Sequence, residues 1–139
     1  MYKKILVAYD GSQGADRALE AGIELAKLHG AVLTALAVEE RLPHFSGTID
    51  EVQEEKEFAN HQFSRLLEKA RSRARGAGVE LQTYLRAGHA AKTIIEVAQK
   101  GKFDLLLLGA SGLSGIWRFM GTTAEKVSRH APCSVLIVR

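Results

Sequence analysis

Short apolar runs alternate with segments of helical periodicity along the whole chain, and this alternation restricts the fold more than any other feature. The apolar runs cover residues 4–9, 31–38, 79–85, 103–108 and 134–138. They are nearly continuous, as expected for strands of a parallel sheet that helices cover on both sides. Because crossovers between parallel strands are right-handed, few topologies remain. The pattern predicts one α/β domain over residues 1–139, with no linker or internal repeat.

Four segments between these runs carry helix signals. The first has Ser12 as a candidate N-cap, Gly30 as a candidate stop, and small or apolar residues at helical spacing between them. The second covers about residues 51–75 and is acidic in its first turns and basic at its end. That order complements the helix dipole and is typical of a solvated helix face. Two shorter helices are predicted, one opening at residues 88–89 and one over residues 122–130.

Composition limits the class of protein. Hydrophobic residues make up 46% of the chain and charged residues 25%, which is typical of globular proteins and excludes wholesale disorder. The single Cys133 excludes an intramolecular disulfide. No apolar run approaches the ~20 residues of a membrane-spanning helix, and the N-terminus lacks the pattern of a signal peptide. We therefore expect a cytoplasmic protein that makes no membrane contact.

The charge balance favours phosphate-bearing small molecules over nucleic acid. The net charge is +3 and the sequence pI is near 9.1, a mildly basic balance. This excess is too small to indicate a nucleic-acid-binding surface, and no basic stretch is interleaved with aromatic residues. We expect no nucleic-acid partner.

Two loops follow strands at the predicted carboxyl edge of the sheet, where parallel sheets bind ligands. One is residues 8–12, and the other is the glycine-rich segment 109–121, which ends where the last helix begins. Four glycines within 13 residues let the second loop bring its backbone amides close to a ligand, and the helix N-terminus favours an anion. Ser111, Thr122 and Thr123 add hydroxyl donors. The loop is interpreted as a phosphate site; the alternative is a flexible loop in which a threonine simply caps the helix.

The glycine-rich loop matches neither standard phosphate motif. A Walker A loop requires Gly-x4-Gly-Lys-Ser/Thr, and the dinucleotide motif requires Gly-x-Gly-x2-Gly after the first strand; neither string occurs. The loop also lacks a lysine, and the nearest cations, Arg118 and Lys126, stand at no diagnostic position. Fast phosphoryl transfer would therefore lack its usual charge stabiliser.

Three segments together resemble the universal stress protein family: the opening KILVAYDGS, the Gly109-x2-Gly112…Gly121-Thr122 loop, and the ending EKVSRHAPCSVLIVR. The resemblance covers essentially the whole chain. It implies a three-layer, Rossmann-like α/β sandwich that binds adenine nucleotides, with five parallel strands in the order 3-2-1-4-5. It also implies a homodimer formed through the C-terminal strands.

An ATP-binding branch of this family carries Gly-x2-Gly-x9-Gly-Ser/Thr, whereas here eight residues separate Gly112 from Gly121. The shorter loop either leaves the site intact or displaces the amides of Gly121 and Thr122 from the phosphates. The resemblance implies ATP as ligand, with Mg²⁺ or Mn²⁺ held through its phosphates. The implied ligand-binding residues are Ala8, Tyr9, Asp10, Ala37, Leu108, Gly109, Ser111, Gly112, Gly121, Thr122 and Thr123.

Asp10 illustrates how a site residue can have two explanations. At a strand end beside a helix start, its carboxylate either caps the turn or contacts a ribose, an adenine or a metal-bound water. The five histidines show no metal-ligand spacing, so we predict neither a protein metal site nor a catalytic residue.

The leading functional hypothesis is a nucleotide-responsive regulatory dimer in the stress response. One alternative is a stress protein that has lost nucleotide binding and acts through an unidentified protein partner. The other is a slow ATPase or adenylyl-transfer enzyme.

Overall fold

The computed structural model describes residues 1–40, 49–110 and 122–139, with side chains of the long second helix described at residues 57, 58 and 60–76. Strands and helices alternate as predicted. In chain order they are β1 (Lys4–Ala8), α1 (Gln13–His29), β2 (Val32–Glu39), α2 (Ile49–Gly76), β3 (Leu81–Ala87), α3 (Ala90–Lys100), β4 (Leu105–Gly109), α4 (Thr122–His130) and β5 (Ser134–Val138). None of the helices in these described ranges combines the length and apolar character that crossing a membrane requires.

The five strands form one parallel sheet in the order β3-β2-β1-β4-β5, which confirms the order implied by the family resemblance. Successive side chains of the central strand β1 enter different cores: Ile5 and Val7 pack under α1 and α2, and Leu6 packs under α3 and α4. All three are fully buried. Helices on both faces explain why the central strands are nearly continuous apolar runs.

Helix α1 begins and ends at the residues that the sequence predicts. The Ser12 hydroxyl oxygen accepts a hydrogen bond from the Ala15 amide at 3.1 Å, and Gly30 ends the helix with a left-handed φ of 63°. In the middle of the helix, a Cβ on Gly22 would lie 2.9 Å from Cγ2 of Val7. The missing side chain therefore lets α1 lie close against the sheet.

Strands β3 and β4 each begin two residues later than predicted, at residue 81 instead of 79 and at 105 instead of 103. Before β3, the Val79 amide donates back to the Ala74 carbonyl of α2 at 2.9 Å. Before β4, the Phe103 amide donates to the Ala98 carbonyl of α3 at 3.0 Å. Both residues belong to the turns that end the preceding helices. Each apolar run in the sequence therefore begins two residues before the strand that it contains.

The amino ends of the two central strands are joined by one carboxylate. Asp104, just before β4, accepts hydrogen bonds from the backbone amides of Lys3 at 2.9 Å and Lys4 at 3.1 Å. This contact holds β1 and β4 in register at the end of the sheet opposite the predicted site.

Candidate functional site

Strands β1 and β4 separate at their carboxyl ends and open a crevice where the strand order reverses. Their pairing extends to Val7 and Leu107. Beyond that point, the Tyr9 amide donates to β2 at 2.8 Å, whereas the Ala110 amide donates to β5 at 2.8 Å. Each segment therefore turns toward its outer neighbour, and ligands of open parallel sheets bind in such a crevice.

Eight of the predicted ligand-binding residues are described, and the topology places them at this carboxyl edge. Ala8, Asp10 and Gly109 are half-buried at the crevice, whereas Tyr9, Ala37 and Leu108 are buried. Thr122 is exposed and Thr123 half-buried at the start of α4. Outside the described residues lie Ser111, Gly112 and Gly121, together with Arg118.

Asp10 stabilises the turn between β1 and α1 with one of its two carboxylate oxygens. Oδ1 accepts a hydrogen bond from the Ser12 amide at 2.9 Å, and Gly11 between them has a φ of 81°. The other oxygen, Oδ2, has no hydrogen-bond partner in the described part of the chain. Asp10 is therefore a turn residue that retains an acceptor for a ligand.

The Tyr9 side chain points into the core under α1 and α2. It is 7% exposed, and its hydroxyl donates to Asp16 Oδ1 at 2.6 Å. Burial, reinforced by the hydrogen bond to Asp16, raises the pKa of Tyr9 above its ordinary range, so the phenol is neutral at physiological pH. Asp16 Oδ1 also lies 3.3 Å from Nη1 of Arg73 on α2. Because the Tyr9 hydroxyl is bonded to Asp16 and the ring lies in the core, a ligand in the crevice would contact the backbone of Tyr9 and not its phenol.

The backbone of Gly109 lies directly against the first turn of α1. A Cβ on Gly109 would come within 2.6 Å of the carbonyl carbon of Gly14 and 2.7 Å of its oxygen. The two ends of the predicted site, which are far apart in sequence, thus meet through two glycines. Sequence reasoning missed Gly14; its signal is a glycine in the first turn of a helix, where propensity disfavours it.

The N-terminus of α3, also at this edge, already holds a carboxylate. Glu40 follows β2, and its Oε1 accepts a hydrogen bond from the Ala90 amide at 3.1 Å. His89 occupies the N-cap position without a side-chain hydrogen bond. A phosphate at this helix end would have to displace Glu40. Sequence reasoning did not identify this contact, because it joins residues 50 positions apart.

The described charges at the crevice do not form a metal centre. Among the side chains that the structure describes, no cluster of three or more His, Cys, Asp or Glu residues is placed to hold a metal ion. Two open grooves do exist elsewhere, along the first residues of β3, and Val79, Glu80 and Gln82 line both of them. They lie at the opposite end of the sheet from the crevice.

Comparisons with known proteins agree with this geometry. The model of the Universal stress protein family matches residues 1–139. A universal stress protein from Staphylococcus aureus (strain USA300) is 37% identical over 142 residues, which cover 99% of this chain and 84% of that protein. Among solved structures, universal stress protein UspA from Lactobacillus plantarum is 30% identical with a TM-score of 0.88, covering 99% of this chain and 98% of that one. A universal stress protein in complex with cAMP is 26% identical with a TM-score of 0.74, covering 99% and 97%.

Proposed function

Because this chain belongs to the universal stress protein family, we propose that it binds ATP in the crevice between β1 and β4 and acts as a nucleotide-responsive regulatory dimer. The observation that carries the proposal is the separation of the two strands at the point where strand order reverses. The solved relative that holds cAMP supports an adenine nucleotide as the class of ligand.

The described residues suit adenosine. Ala8 and Gly109 contribute little side-chain bulk to the crevice, and Asp10 retains an oxygen that can accept from a ribose hydroxyl or an adenine amino group. Since Glu40 already caps α3, the phosphates are assigned to the glycine-rich loop and the start of α4. The full proposed set adds Tyr9, Ala37, Leu108, Ser111, Gly112, Gly121, Thr122 and Thr123. Mg²⁺ or Mn²⁺ would be held through the phosphates.

The role proposed for Asp10 can be separated from its role in the turn. Asp10→Asn keeps an oxygen for the Ser12 amide but replaces the second oxygen with an NH₂ donor. We expect unchanged thermal stability and adenine-nucleotide binding weaker by about tenfold, the loss of one charge-assisted hydrogen bond. Calorimetric titration with ATP, AMP and cAMP, beside a thermal melt, measures both quantities.

Asp10→Ala is the matched control, because it loses the turn as well and should therefore reduce stability and binding together. Equal affinity of Asp10→Asn and the unmodified chain would remove Asp10 from the ligand site. If the unmodified chain bound none of the three nucleotides, the shortened glycine spacing would be the cause, and action through a protein partner would become the leading function.

We expect ATP turnover far below the ~1 s⁻¹ lower end of typical enzymes. The site offers backbone amides and hydroxyls, which bind ground-state phosphates, but no assigned lysine or arginine to stabilise the transferring phosphoryl group. Arg118→Ala and Lys126→Ala, which remove the nearest cations in sequence, should leave any residual rate unchanged. A phosphate-release assay showing several turnovers per second, lost in either variant, would make the enzyme hypothesis the better one.

The dimer is proposed to form along β5, an edge strand of the sheet. Leu136 on this strand is 40% exposed, and an open apolar edge is stabilised by pairing with a second copy. We expect Leu136→Lys to abolish pairing through β5, and so to halve the mass measured at about 0.5 M salt, where contacts between charged surfaces are screened. Fold stability should change little, since the side chain is already half in solvent. Light scattering measures the mass. A Leu136→Lys chain that keeps the mass of the unmodified chain at that salt concentration would contradict this interface.

A further inference from the structure

We propose that α2 is a second self-association surface, on which two copies of the chain pair their α2 helices in antiparallel orientation. The half formed by residues 49–62 of each copy would lie along residues 63–76 of the other. This surface is distinct from β5, and it does not depend on nucleotide binding.

The N-terminal half of α2 lies beyond the carboxyl edge of the sheet. The helix runs antiparallel to the strands, and Leu66 marks the level of the sheet's carboxyl edge: its Cδ2 would lie 2.7 Å from a Cβ on Gly11. The 17 residues before Leu66 continue for about 25 Å at 1.5 Å per residue. In this half every described side chain, at residues 57, 58 and 60–62, is exposed, whereas Leu67, Ala70 and Ala74 are buried.

The charges of α2 separate by half with opposite signs. Residues 49–62 contain five acidic side chains and one basic one, a net charge of −4, and residues 63–76 contain five basic side chains and one acidic one, a net charge of +4. The helix dipole stabilises charged side chains only in the first and last turns, yet the separation of acidic from basic residues continues along the whole of α2. An antiparallel copy places −4 opposite +4 at both ends at once. Because a twofold interface uses the same patch on both copies, one helix with both signs is complementary to itself.

Several side chains on this surface lack partners within the copy. Arg65, Lys69 and Arg75 are exposed and form no ion pair with any residue of the described ranges. Arg71 and Arg73, by contrast, are already paired with acids of their own chain. On the acidic half, the Phe58 side chain is 62% exposed. A second α2 would neutralise the free cations and cover this ring, which supplies the apolar contact that charge pairs alone lack.

Charge reversal tests the pairing in the Leu136→Lys background, where association through β5 is blocked. Arg65→Glu, Lys69→Glu and Arg75→Glu together change the basic half from +4 to −2; Glu51→Lys, Glu54→Lys and Glu57→Lys change the acidic half from −4 to +2. Each triple variant then has two halves of one sign, so we expect self-association at least about tenfold weaker. A 1:1 mixture of the two variants restores opposite signs at both ends and should restore association, measured by sedimentation velocity.

The matched control reverses three exposed lysines near α3, Lys92→Glu, Lys100→Glu and Lys102→Glu. Its change in total charge equals that of the variant with the reversed basic half, and it should associate as the background does. Circular dichroism checks that each variant keeps its helix. If a reversed helix does not form, the background protein still provides a test, since its association should weaken between about 0.05 M and about 0.5 M salt. A background protein that is monomeric at low salt, or a folded mixture that does not associate, overturns the proposal.

Discussion

Gly109→Ala is expected to destabilise the fold by about 3 kcal/mol, near the upper end of the usual cost of overpacking. The added Cβ would lie 2.6 Å from the carbonyl carbon of Gly14, well inside contact distance. The obstacle is the backbone of a helix, so no side-chain rotation relieves it. Helix α1 would have to move away from β4, which would disturb the core around Ala15 and Ala18. Urea denaturation of both chains measures the change in the free energy of unfolding.

Gly76→Ala is the control for this substitution. At Gly76, the last residue of α2, no atom lies within 4 Å of the position of a Cβ, and the backbone is not left-handed. The same chemical change should stabilise the protein there by about 0.5 kcal/mol through the unfolded chain. An unfolding midpoint for Gly109→Ala equal to that of the unmodified chain would show that α1 and β4 are not in tight contact.

The sequence predicted an element correctly where residues within that element determine its bounds. Helix α1 is an example: Ser12 and Gly30 fix its ends, and its small residues predict the buried face. The predicted starts of β3 and β4 were each two residues too early, because Val79 and Phe103 are apolar but belong to turns that end helices. The apolar pattern of a sequence indicates which residues are buried, and it does not distinguish a buried turn residue from a strand residue. The order of the strands came from the family resemblance, since alternation alone leaves several topologies open.

The candidate site shows what sequence reasoning cannot reach. Its edge was predicted from the segments that follow β1 and β4, and these two strands do end at the switch point. The contacts that define it, however, join residues remote in sequence: Gly14 with Gly109, and Glu40 with the Ala90 amide. Tyr9 illustrates the same limit. A tyrosine at a strand end suggests a ligand contact, but only the packing of α1 and α2 shows that its hydroxyl is bonded to Asp16.

Charge on α2 was interpreted from the sequence as a solvated face that complements the dipole. The structure adds that the acidic half extends beyond the sheet edge and that Phe58 on it is exposed. On a solvated helix, acidic and basic residues can be mixed along the 28 positions. Charge complementarity between two antiparallel copies of α2 instead requires opposite net charges on the two halves. The charge separation on α2 therefore indicates a partner helix only once the structure shows which half of the helix is exposed.

Gly112→Val is expected to weaken ATP binding by at least about a hundredfold, which is beyond detection for a micromolar site. In the family pattern this glycine lets the backbone approach the phosphates, and a branched side chain there occupies the space of a phosphate oxygen and restricts the backbone. Gly115→Val is the matched control, because Gly115 lies in the same loop but is not one of the pattern glycines. Calorimetric titration with ATP and Mg²⁺, and competition with a fluorescent analogue, measure the affinities.

Equal losses of affinity in Gly112→Val and Gly115→Val would mean that the loop responds to added side-chain bulk in general. Undiminished binding in Gly112→Val would place the phosphates elsewhere. Since Glu40 already caps α3, the search would then move to Thr122 and Thr123 at the start of α4.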